Sequence, residues 1–328
     1  LFDLGAAPEE LAAAFRPSAC RWLVISYTSD WLFPPFQSQQ IVDALVANEK
    51  PVSYCNVESS CGHDAFLLPN ELASYGTMVA GFLENLNGAA ADSAKLSPDQ
   101  RSSESSGADS AEASALPHRL STVHKPTSIF HDPQRLDYES ILELIPDNAN
   151  VLDLGCGTGG LMLQLRQRGH RRLTGIELDE LAVVECVRCG LDVLQADLND
   201  GLSIFADGQF DVVALSQTLQ TIIDVRRVIK EMLRVGRRAI VSFPNLGYHK
   251  LRRQLAEEGR APHVSLGGGG RWYDTWNVRF LTIADFDEFC REEGIHIHDR
   301  VFLDTEARHR VTDDPNLNAD LAIVVLSR

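Results

Sequence analysis

Short apolar runs alternate with amphipathic stretches from about residue 130 to the end of the chain. The runs predict strands at 150–154, 173–178, 192–198, 210–215, 238–243, 295–302 and 321–326. The stretches between them predict helices at 160–168, 225–235 and 283–293, and another that ends at 188. Repeated strand–helix units indicate an α/β fold with a doubly wound parallel sheet. Ligands of such sheets bind beyond the carboxyl ends of the strands.

A break in this pattern divides the chain in two. From Gly88 to about Leu116 the residues are mostly Ala, Ser, Asp, Glu, Gly and Pro, with almost no large apolar side chain. Such a segment cannot bury enough surface to offset its ordering entropy. We therefore predict a flexible linker at 88–129 between an N-terminal unit, 1–87, and a C-terminal unit, 130–328.

Charge and cysteine content narrow the classes of partner and compartment. The formal net charge of −16 argues against nucleic acid and membrane surfaces, because both attract basic proteins, and favours small-molecule substrates. The seven cysteines form no regular framework, which is typical of a reduced cytoplasmic protein, and we expect no metal site. Because the sequence begins with Leu1, we expect it to be incomplete at its N-terminus.

The first strand–helix turn of the C-terminal unit carries the candidate chemistry. Gly155, Gly157 and Gly159 let the backbone turn sharply and approach a ligand, and N–H groups of the next helix face that ligand. Glu177 closes the second strand, where an acidic residue accepts hydrogen bonds from ribose hydroxyls. Asp197 closes the third predicted strand and is placed to meet the adenine amino group. Together the three elements predict a nucleoside site.

Two features favour S-adenosylmethionine over a dinucleotide. The glycines are spaced G-x-G-x-G, whereas dinucleotide sites usually have G-x-G-x-x-G. Asp153 precedes them, and a carboxylate suits the ammonium group of S-adenosylmethionine but repels a pyrophosphate.

The chain from Arg135 onward resembles the MetW family. The matching segments are RLDYESILELIP at 135–146, VLDLGCGTG at 151–159, GIELDE at 175–180, FDVVALSQTLQ at 210–220, EMLRVGRRAIVSFPN at 231–245 and WYDT at 272–275. The resemblance implies a class I methyltransferase (Rossmann-like) fold and a connection to methionine biosynthesis. It also implies donor binding by Asp153, Gly155, Gly157, Gly159, Glu177 and Asp197. The Gly267 to Gly270 run departs from the family pattern.

The N-terminal unit resembles the C-terminal tail of homoserine O-acetyltransferases, which are α/β-hydrolase-fold enzymes. The matching segments are FDLG at 2–5, LVISYTSDWLFPP at 23–35, QSQQIVDAL at 37–45 and GHDAFLL at 62–68. The resemblance implies that Asp30 orients His63 and that His63 is the general base. Its substrates would be homoserine and acetyl-CoA. No serine of the chain lies in a nucleophile elbow, so we expect only part of the acyltransferase here.

Two functions remain open for the C-terminal unit. It is either a methyltransferase of unknown acceptor or a non-catalytic partner that supports the acyltransferase. We expect contact between the two units and leave a homodimer open. Residues that could line an acceptor pocket are Ser216, Gln217, Asn245, Tyr273 and Asp274.

Overall fold

The computed structural model describes residues 7–94, 135–261 and 277–328, which we call the N-terminal half (7–94) and the C-terminal half (the other two ranges). Ten strands of these residues form one sheet. They are β1 (Trp22–Tyr27), β2 (Val52–Val57), β3 (Val151–Leu154), β4 (Leu173–Glu177), β5 (Asp192–Gln195), β6 (Phe210–Ser216), β7 (Gly236–Pro244), β8 (His296–Asp304), β9 (His309–Arg310) and β10 (Leu321–Ser327).

Helices cover both faces of the sheet. They are α1 (Pro8–Phe15), α2 (Pro35–Ala47), α3 (Pro69–Ala94), α4 (Leu136–Leu144), α5 (Gly160–Gln167), α6 (Glu180–Arg188), α7 (Val225–Val235), α8 (His249–Glu258), α9 (Ile283–Glu292) and α10 (Pro315–Asn318). Helices α2, α7 and α9 contribute to the core on one face, and α3, α4, α5 and α6 to the core on the other. None of these helices combines the length and the apolar character needed to cross a membrane.

The strand order confirms the class I methyltransferase (Rossmann-like) fold of the C-terminal half. Its strands run β5-β4-β3-β6-β7-β10-β8-β9, and β3 to β7 are parallel to one another. The first five have the 3-2-1-4-5 order of doubly wound nucleotide-binding sheets.

The expectation of an all-parallel sheet is wrong at one end. Strand β10 is antiparallel to both of its neighbours, β7 and β8, and β9 is antiparallel to β8. A parallel return from β8 would need a crossover connection, usually a full helix. Only the short α10 and β9 lie between β8 and β10, so the chain returns antiparallel.

Several element boundaries differ from the sequence prediction. Strand β5 ends at Gln195 instead of 198, because the Asp197 carboxylate accepts a hydrogen bond from Asn199 N and starts a short 3₁₀ helix. Helices α4 and α8 had not been predicted. Helix α3 continues to Ala94, past the predicted linker boundary at 88, and its Ala-rich end favours helix. The rest of the predicted linker lies outside the described residues.

The N-terminal half adds two strands to the edge of the C-terminal sheet. Strands β1 and β2 are parallel, and β2 lies next to β5 with Tyr54 opposite Leu194. Both hydrophobic cores continue across this contact: Leu45 of α2 belongs to the same core as Leu194, and Met78 of α3 belongs to the same core as Val183. We call the contact of β2 with β5 and of α3 with α6 the seam.

Polar contacts accompany the apolar ones along the seam. Arg21 Nε donates to Asp192 Oδ1 at 2.9 Å, and Arg21 Nη2 donates to the Gly190 carbonyl at 2.8 Å. Helix α3 approaches α6 so closely that a Cβ on Gly81 would lie 2.8 Å from Arg188 Cα. Glycine at this position therefore permits the close helix contact.

Candidate functional site

The glycine turn that follows β3 adopts a backbone shape that few other residues tolerate. Gly155, Gly157 and Gly159 have φ values of 65°, 55° and 82°, in the left-handed region. Helix α5 begins immediately afterwards, so its unpaired N–H groups lie at the carboxyl edge of the sheet. The turn and the helix start form a backbone cradle of the kind that receives a nucleoside or an anion.

Side chains from neighbouring elements press against this turn. A Cβ on Gly159 would lie 2.2 Å from Leu191 Cδ1, and a Cβ on Gly155 would lie 2.7 Å from Thr218 Oγ1. The glycines are therefore required both by the backbone angles and by the space around them.

Glu177 lies at the end of β4, beside the glycine turn. Its Oε2 accepts a hydrogen bond from Gly157 N at 2.8 Å. Its Oε1 accepts from Leu178 N at 2.8 Å and Asp179 N at 2.9 Å. The carboxylate thus fixes the turn to the adjacent strand, a structural role that sequence reasoning missed. Its contact with ribose hydroxyls stays a prediction.

Asp197 follows β5, the next strand along the edge. Its Oδ1 accepts hydrogen bonds from Asn199 N and Asn199 Nδ2, both at 2.8 Å. Its Oδ2 accepts none from residues 7–94, 135–261 or 277–328 and remains available to a ligand donor. The structure therefore places the glycine turn, Glu177 and Asp197 on three adjacent strand ends, in the order β3, β4, β5.

Asp153 is buried within β3, with 2% of its surface exposed. Burial raises the pKa of its carboxyl to about 7, against the opposing effect of the Arg135 guanidinium and with a further contribution from Glu177. The acid therefore exchanges its proton near neutral pH. Its predicted role toward the donor's ammonium group stays a prediction.

A polar network that sequence reasoning missed lies on the other side of the turn. Arg135 forms an ion pair with the buried Asp137 at the start of α4, and its Nη2 donates to Ser216 Oγ at 2.8 Å. Asp137 Oδ2 also accepts from Ser216 Oγ at 3.0 Å and from Gln217 Nε2 at 2.9 Å. Arg135 and Asp137 lie in the RLDYESILELIP segment, where acidic residues before an apolar run could have signalled the start of a helix.

The proposed acceptor-lining role of Asn245 is wrong, because the residue is fully buried. Its Nδ2 donates to the Ala319 carbonyl at 2.7 Å, and its Oδ1 accepts from Gly247 N at 2.9 Å and Ile283 N at 3.2 Å. It joins the end of β7 to α9 and the chain before β10. Two other predicted lining residues lie outside the described residues: Tyr273 and Asp274.

In the N-terminal half, the structure brings Asp30 and His63 together. His63 Nδ1 lies 3.1 Å from Asp30 Oδ2 and 3.3 Å from Asp30 Oδ1. Asp30 Oδ1 also accepts from Leu32 N and Phe33 N, each at 2.9 Å. Burial tends to raise the pKa of Asp30, but the hydrogen bonds from Phe33 N, His63 and Leu32 N outweigh it and the pKa is lowered. These contacts favour the ionised form of Asp30 beside the His63 imidazole, and the role of Asp30 in orienting a catalytic base stays a prediction.

The surroundings of this pair are open and apolar. Asp30 and His63 line a cavity of about 320 Å³. Two large apolar side chains of its lining, Phe33 and Phe66, are exposed, and so are several nearby in sequence, namely Trp31, Leu32, Phe36 and Leu67. An exposed apolar patch of this kind marks a surface that another part of a protein covers.

No three His, Cys, Asp or Glu side chains of the described residues come together as a group that could hold a metal ion. The candidate sites described above are the Asp30–His63 pair and the three strand ends at Gly157, Glu177 and Asp197.

Comparison with known proteins gives separate matches for the two halves. The model of the family "Methionine biosynthesis protein MetW" matches residues 135–326. The "Bifunctional methionine biosynthesis protein MetXA/MetW" of Rhodopirellula baltica is 38% identical over 339 aligned residues, which span 100% of this chain and 48% of that protein. The chain thus spans about half the length of this relative.

Other relatives match a shorter part of the chain. A homoserine O-succinyltransferase of Litchfieldella anticariensis is 48% identical over 25% of this chain and 21% of its own length. A homoserine O-acetyltransferase of Leptospira biflexa is 50% identical over 21% of this chain and 18% of its own length. Among solved structures, an S-adenosylmethionine-dependent methyltransferase of Mesorhizobium loti superposes with a TM-score of 0.42 at 15% identity, over 60% of this chain and 99% of that chain.

Proposed function

The chain belongs to the MetW family, and on that premise we propose that its C-terminal half binds S-adenosylmethionine and serves methionine biosynthesis in the cytoplasm. The observation that carries the proposal is the row of three strand ends: the glycine turn, Glu177 bonded to it at 2.8 Å, and Asp197 with a free oxygen. A bound donor would supply an activated methyl group.

The residues present fit this donor. S-adenosylmethionine is cationic at its sulfonium and ammonium groups, and Glu177 and Asp197 supply carboxyl groups at two adjacent strand ends. The carboxyl group of Asp153 lies buried within β3, the next strand along the edge. Gly155 and Gly159 have no room for a Cβ, and Gly157 shares their positive φ, so the backbone itself can approach the ligand. These residues would bind and orient the donor.

Isothermal titration calorimetry of the full chain with S-adenosylmethionine and S-adenosylhomocysteine tests the proposal. Asp197→Asn keeps an oxygen for Asn199 but removes the charge, and we expect affinity to fall about 10-fold. Glu177→Gln should weaken binding by roughly 1.5–3 kcal/mol, because charge-assisted hydrogen bonds to ribose are lost. Glu257→Gln, at an exposed site on α8, is the matched control. A folded chain that binds neither ligand at millimolar concentration would contradict the proposal.

We infer that the N-terminal half is the C-terminal part of a homoserine acyltransferase of the α/β-hydrolase fold. Asp30 would hold the His63 imidazole, and His63 would accept the proton of a nucleophile supplied outside the printed sequence. The relatives include both acetyl- and succinyltransferases, so acyl transfer to homoserine is their common activity. We propose acetyl-CoA as the acyl donor.

We also propose that the two halves stay docked at the seam in the whole protein. The ion pair of Arg21 with Asp192 and the continuous cores on both faces support this docking. To test this, the predicted linker is cut with a protease in the completed acyltransferase. The rate of acetyl transfer and the melting temperature are then compared with and without the C-terminal half. Equal values in both preparations, together with the absence of crosslinks, would contradict docking.

One observation favours a second function, that of a non-catalytic partner of the acyltransferase. Five residues were acceptor candidates, and two of them, Tyr273 and Asp274, lie outside the described residues. Ser216 Oγ, Gln217 Nε2 and Asn245 Nδ2 each donate to another protein group. A methyltransferase would turn over labelled methyl groups from S-adenosylmethionine, whereas a sensor would bind the donor and leave it intact. Release of S-adenosylhomocysteine with a candidate acceptor would exclude the sensor.

A further inference from the structure

A cavity of about 640 Å³ lies where the two halves meet beside Asp197. Its size is typical of a small-molecule site. The N-terminal half contributes one wall with Leu11, Ala12, Gln39, Gln40, Asp43, Ala47 and Tyr54, among others. The C-terminal half contributes the facing wall with Ile176, Leu194, Gln195, Asp197, Asp200 and Ile204, among others.

The cavity lies next to the candidate nucleoside site, and Asp197 belongs to both. Along the carboxyl edge the strands follow in the order β3, β4, β5 and β2. The first three carry the glycine turn, Glu177 and Asp197, and the fourth belongs to the N-terminal half. A nucleoside that extends from Glu177 past Asp197 therefore approaches the N-terminal half, whose α1 and α2 line the cavity together with Asp197.

The chemistry of the lining favours a flat ring with an amino group. Asp43, Asp197 and Asp200 present carboxylate acceptors, while apolar side chains such as Ile176 and Leu194 offer a surface for a ring. Asp43 Oδ1 accepts from Gln39 Nε2 at 2.8 Å, which positions the carboxylate on the cavity side of α2. The same three carboxylates oppose phosphate groups, so a nucleoside suits the cavity better than a nucleotide or coenzyme A.

We propose that the N-terminal half completes the nucleoside site, with the adenine ring lying in this cavity between Asp197 and α2. The inference rests on the proposed binding of S-adenosylmethionine and on docking at the seam. A ligand that contacts both halves binds the docked form more tightly than the separated halves. Binding and docking therefore strengthen each other by the same factor.

The test uses the full chain, S-adenosylhomocysteine as the probe, and a variant that fills the cavity. Ala47 lines the cavity and is exposed, so Ala47→Trp places an indole there without disturbing the core. We expect its affinity to fall at least about 10-fold. Ala13→Trp, an exposed position on α1 that does not line the cavity, is the matched control and should bind like the wild type.

A second pair of variants tests the carboxylate of Asp43 alone and leaves the volume of the cavity nearly unchanged. Asp43→Asn should weaken S-adenosylhomocysteine about 3- to 10-fold, whereas Glu84→Gln, exposed on α3, should not. Hydrogen exchange gives a readout that is independent of affinity: amides of α2 should exchange more slowly when the wild-type chain is saturated. Circular dichroism and melting without ligand show whether each variant is folded.

The outcomes separate this inference from the function on which it rests. If the wild type and folded Ala47→Trp and Asp43→Asn bind S-adenosylhomocysteine equally, the shared cavity is wrong and donor binding stands. If the wild type does not bind S-adenosylhomocysteine at millimolar concentration, both the proposed function and this inference are wrong. Adenosine should also bind, and AMP binding as tightly as adenosine would contradict the acidic character assigned to the cavity.

Discussion

Asp30 and Asp153 each belong to a parallel strand or its end, yet their surroundings act on them in opposite directions. The side chain of Asp30 is 9% exposed, and two backbone N–H groups and His63 lie within hydrogen-bonding distance of it and lower its pKa. Asp153 lies inside β3, where burial raises its pKa to about 7. The surroundings thus favour the ionised form of the first carboxyl group and the protonated form of the second.

The same contrast extends to the two candidate sites. The Asp30–His63 pair faces an open cavity with exposed aromatic side chains, as one part of a larger site would. The glycine turn, Glu177 and Asp197 are all supplied by one half and bonded to their own backbone. We therefore expect the first site to depend on the rest of the acyltransferase and the second to bind its ligand in this chain.

The largest expected effect comes from removing His63 of the proposed catalytic pair. In the completed acyltransferase, His63→Ala should lower the rate of homoserine acetylation about 10²- to 10⁴-fold, because no base accepts the nucleophile's proton. His309→Ala, exposed in the C-terminal half, should retain the rate. The chain as printed should give no acetylation. A His63→Ala rate within threefold of the wild type, or steady acetylation by the printed chain, would contradict the assignment.

The second effect concerns the buried acid. The folded-state pKa of Asp153 is raised above its unfolded value of about 4, so folding takes up a proton between about pH 4 and pH 7. Its contribution to stability is therefore present below pH 4 and is lost as pH rises through 7, by on the order of 4 kcal/mol. Asp153→Asn has no such titration. The free energy of unfolding of the variant, relative to that of the wild type, should therefore rise with pH.

Urea unfolding at a series of pH values measures this difference. Asp313→Asn, at an exposed position, is the control and should follow the wild-type profile. Parallel profiles for Asp153→Asn and the wild type would show that the carboxyl keeps an ordinary pKa in the folded state.

A third variant weakens the seam between the two halves and leaves the residues of both candidate sites unchanged. Gly81→Ala places a Cβ 2.8 Å from Arg188 Cα, and we expect a loss of about 1–3 kcal/mol as α3 moves away from α6. Gly76→Ala lies on the same helix, where the Cβ would meet only the flexible Leu72 side chain. It should be neutral or stabilising, because alanine favours helix. Equal melting temperatures for both variants would argue against a tight seam.

The smallest effect concerns the ion pair at the seam. Arg21 and Asp192 are both partly exposed, so a double-mutant cycle of Arg21→Gln and Asp192→Asn should give a coupling of about 0.2–1 kcal/mol. The coupling should shrink at high salt, because screening weakens exposed charges. A coupling energy that is unchanged in 1 M salt would show that the ion pair is shielded from solvent, contrary to this expectation.

The sequence predicted correctly those elements whose hydrophobic or glycine pattern lies within one short segment. Helix α7 was predicted at its observed bounds, Val225–Val235, because its buried side chains recur at helical spacing. The glycine turn was predicted because glycines mark positive φ angles. Strand β10 was misjudged in direction, since only the path of the chain between β8 and β10 decides it.

The parts of the sites that sequence could not predict join residues far apart in the chain. The pairing of Tyr54 with Leu194, and hence the cavity shared by both halves, depends on how the halves dock. The contacts of Asp137 with Ser216 and Gln217 likewise arise only when α4 packs beside β6. No pattern within one segment carries this information.

The position of β2 at the junction has a consequence for the time course of synthesis. About 135 residues separate the end of β2 from the start of β5, so a ribosome making about 5–20 residues per second needs roughly 7–27 seconds to deliver the neighbouring strand. Throughout that interval β2 is an unpaired edge, a template for strands of other nascent chains. Lys50 and Pro51, immediately before it, are residue types that discourage such pairing. Nascent chains that stall before residue 192 should therefore be more prone to aggregate than those that have passed it.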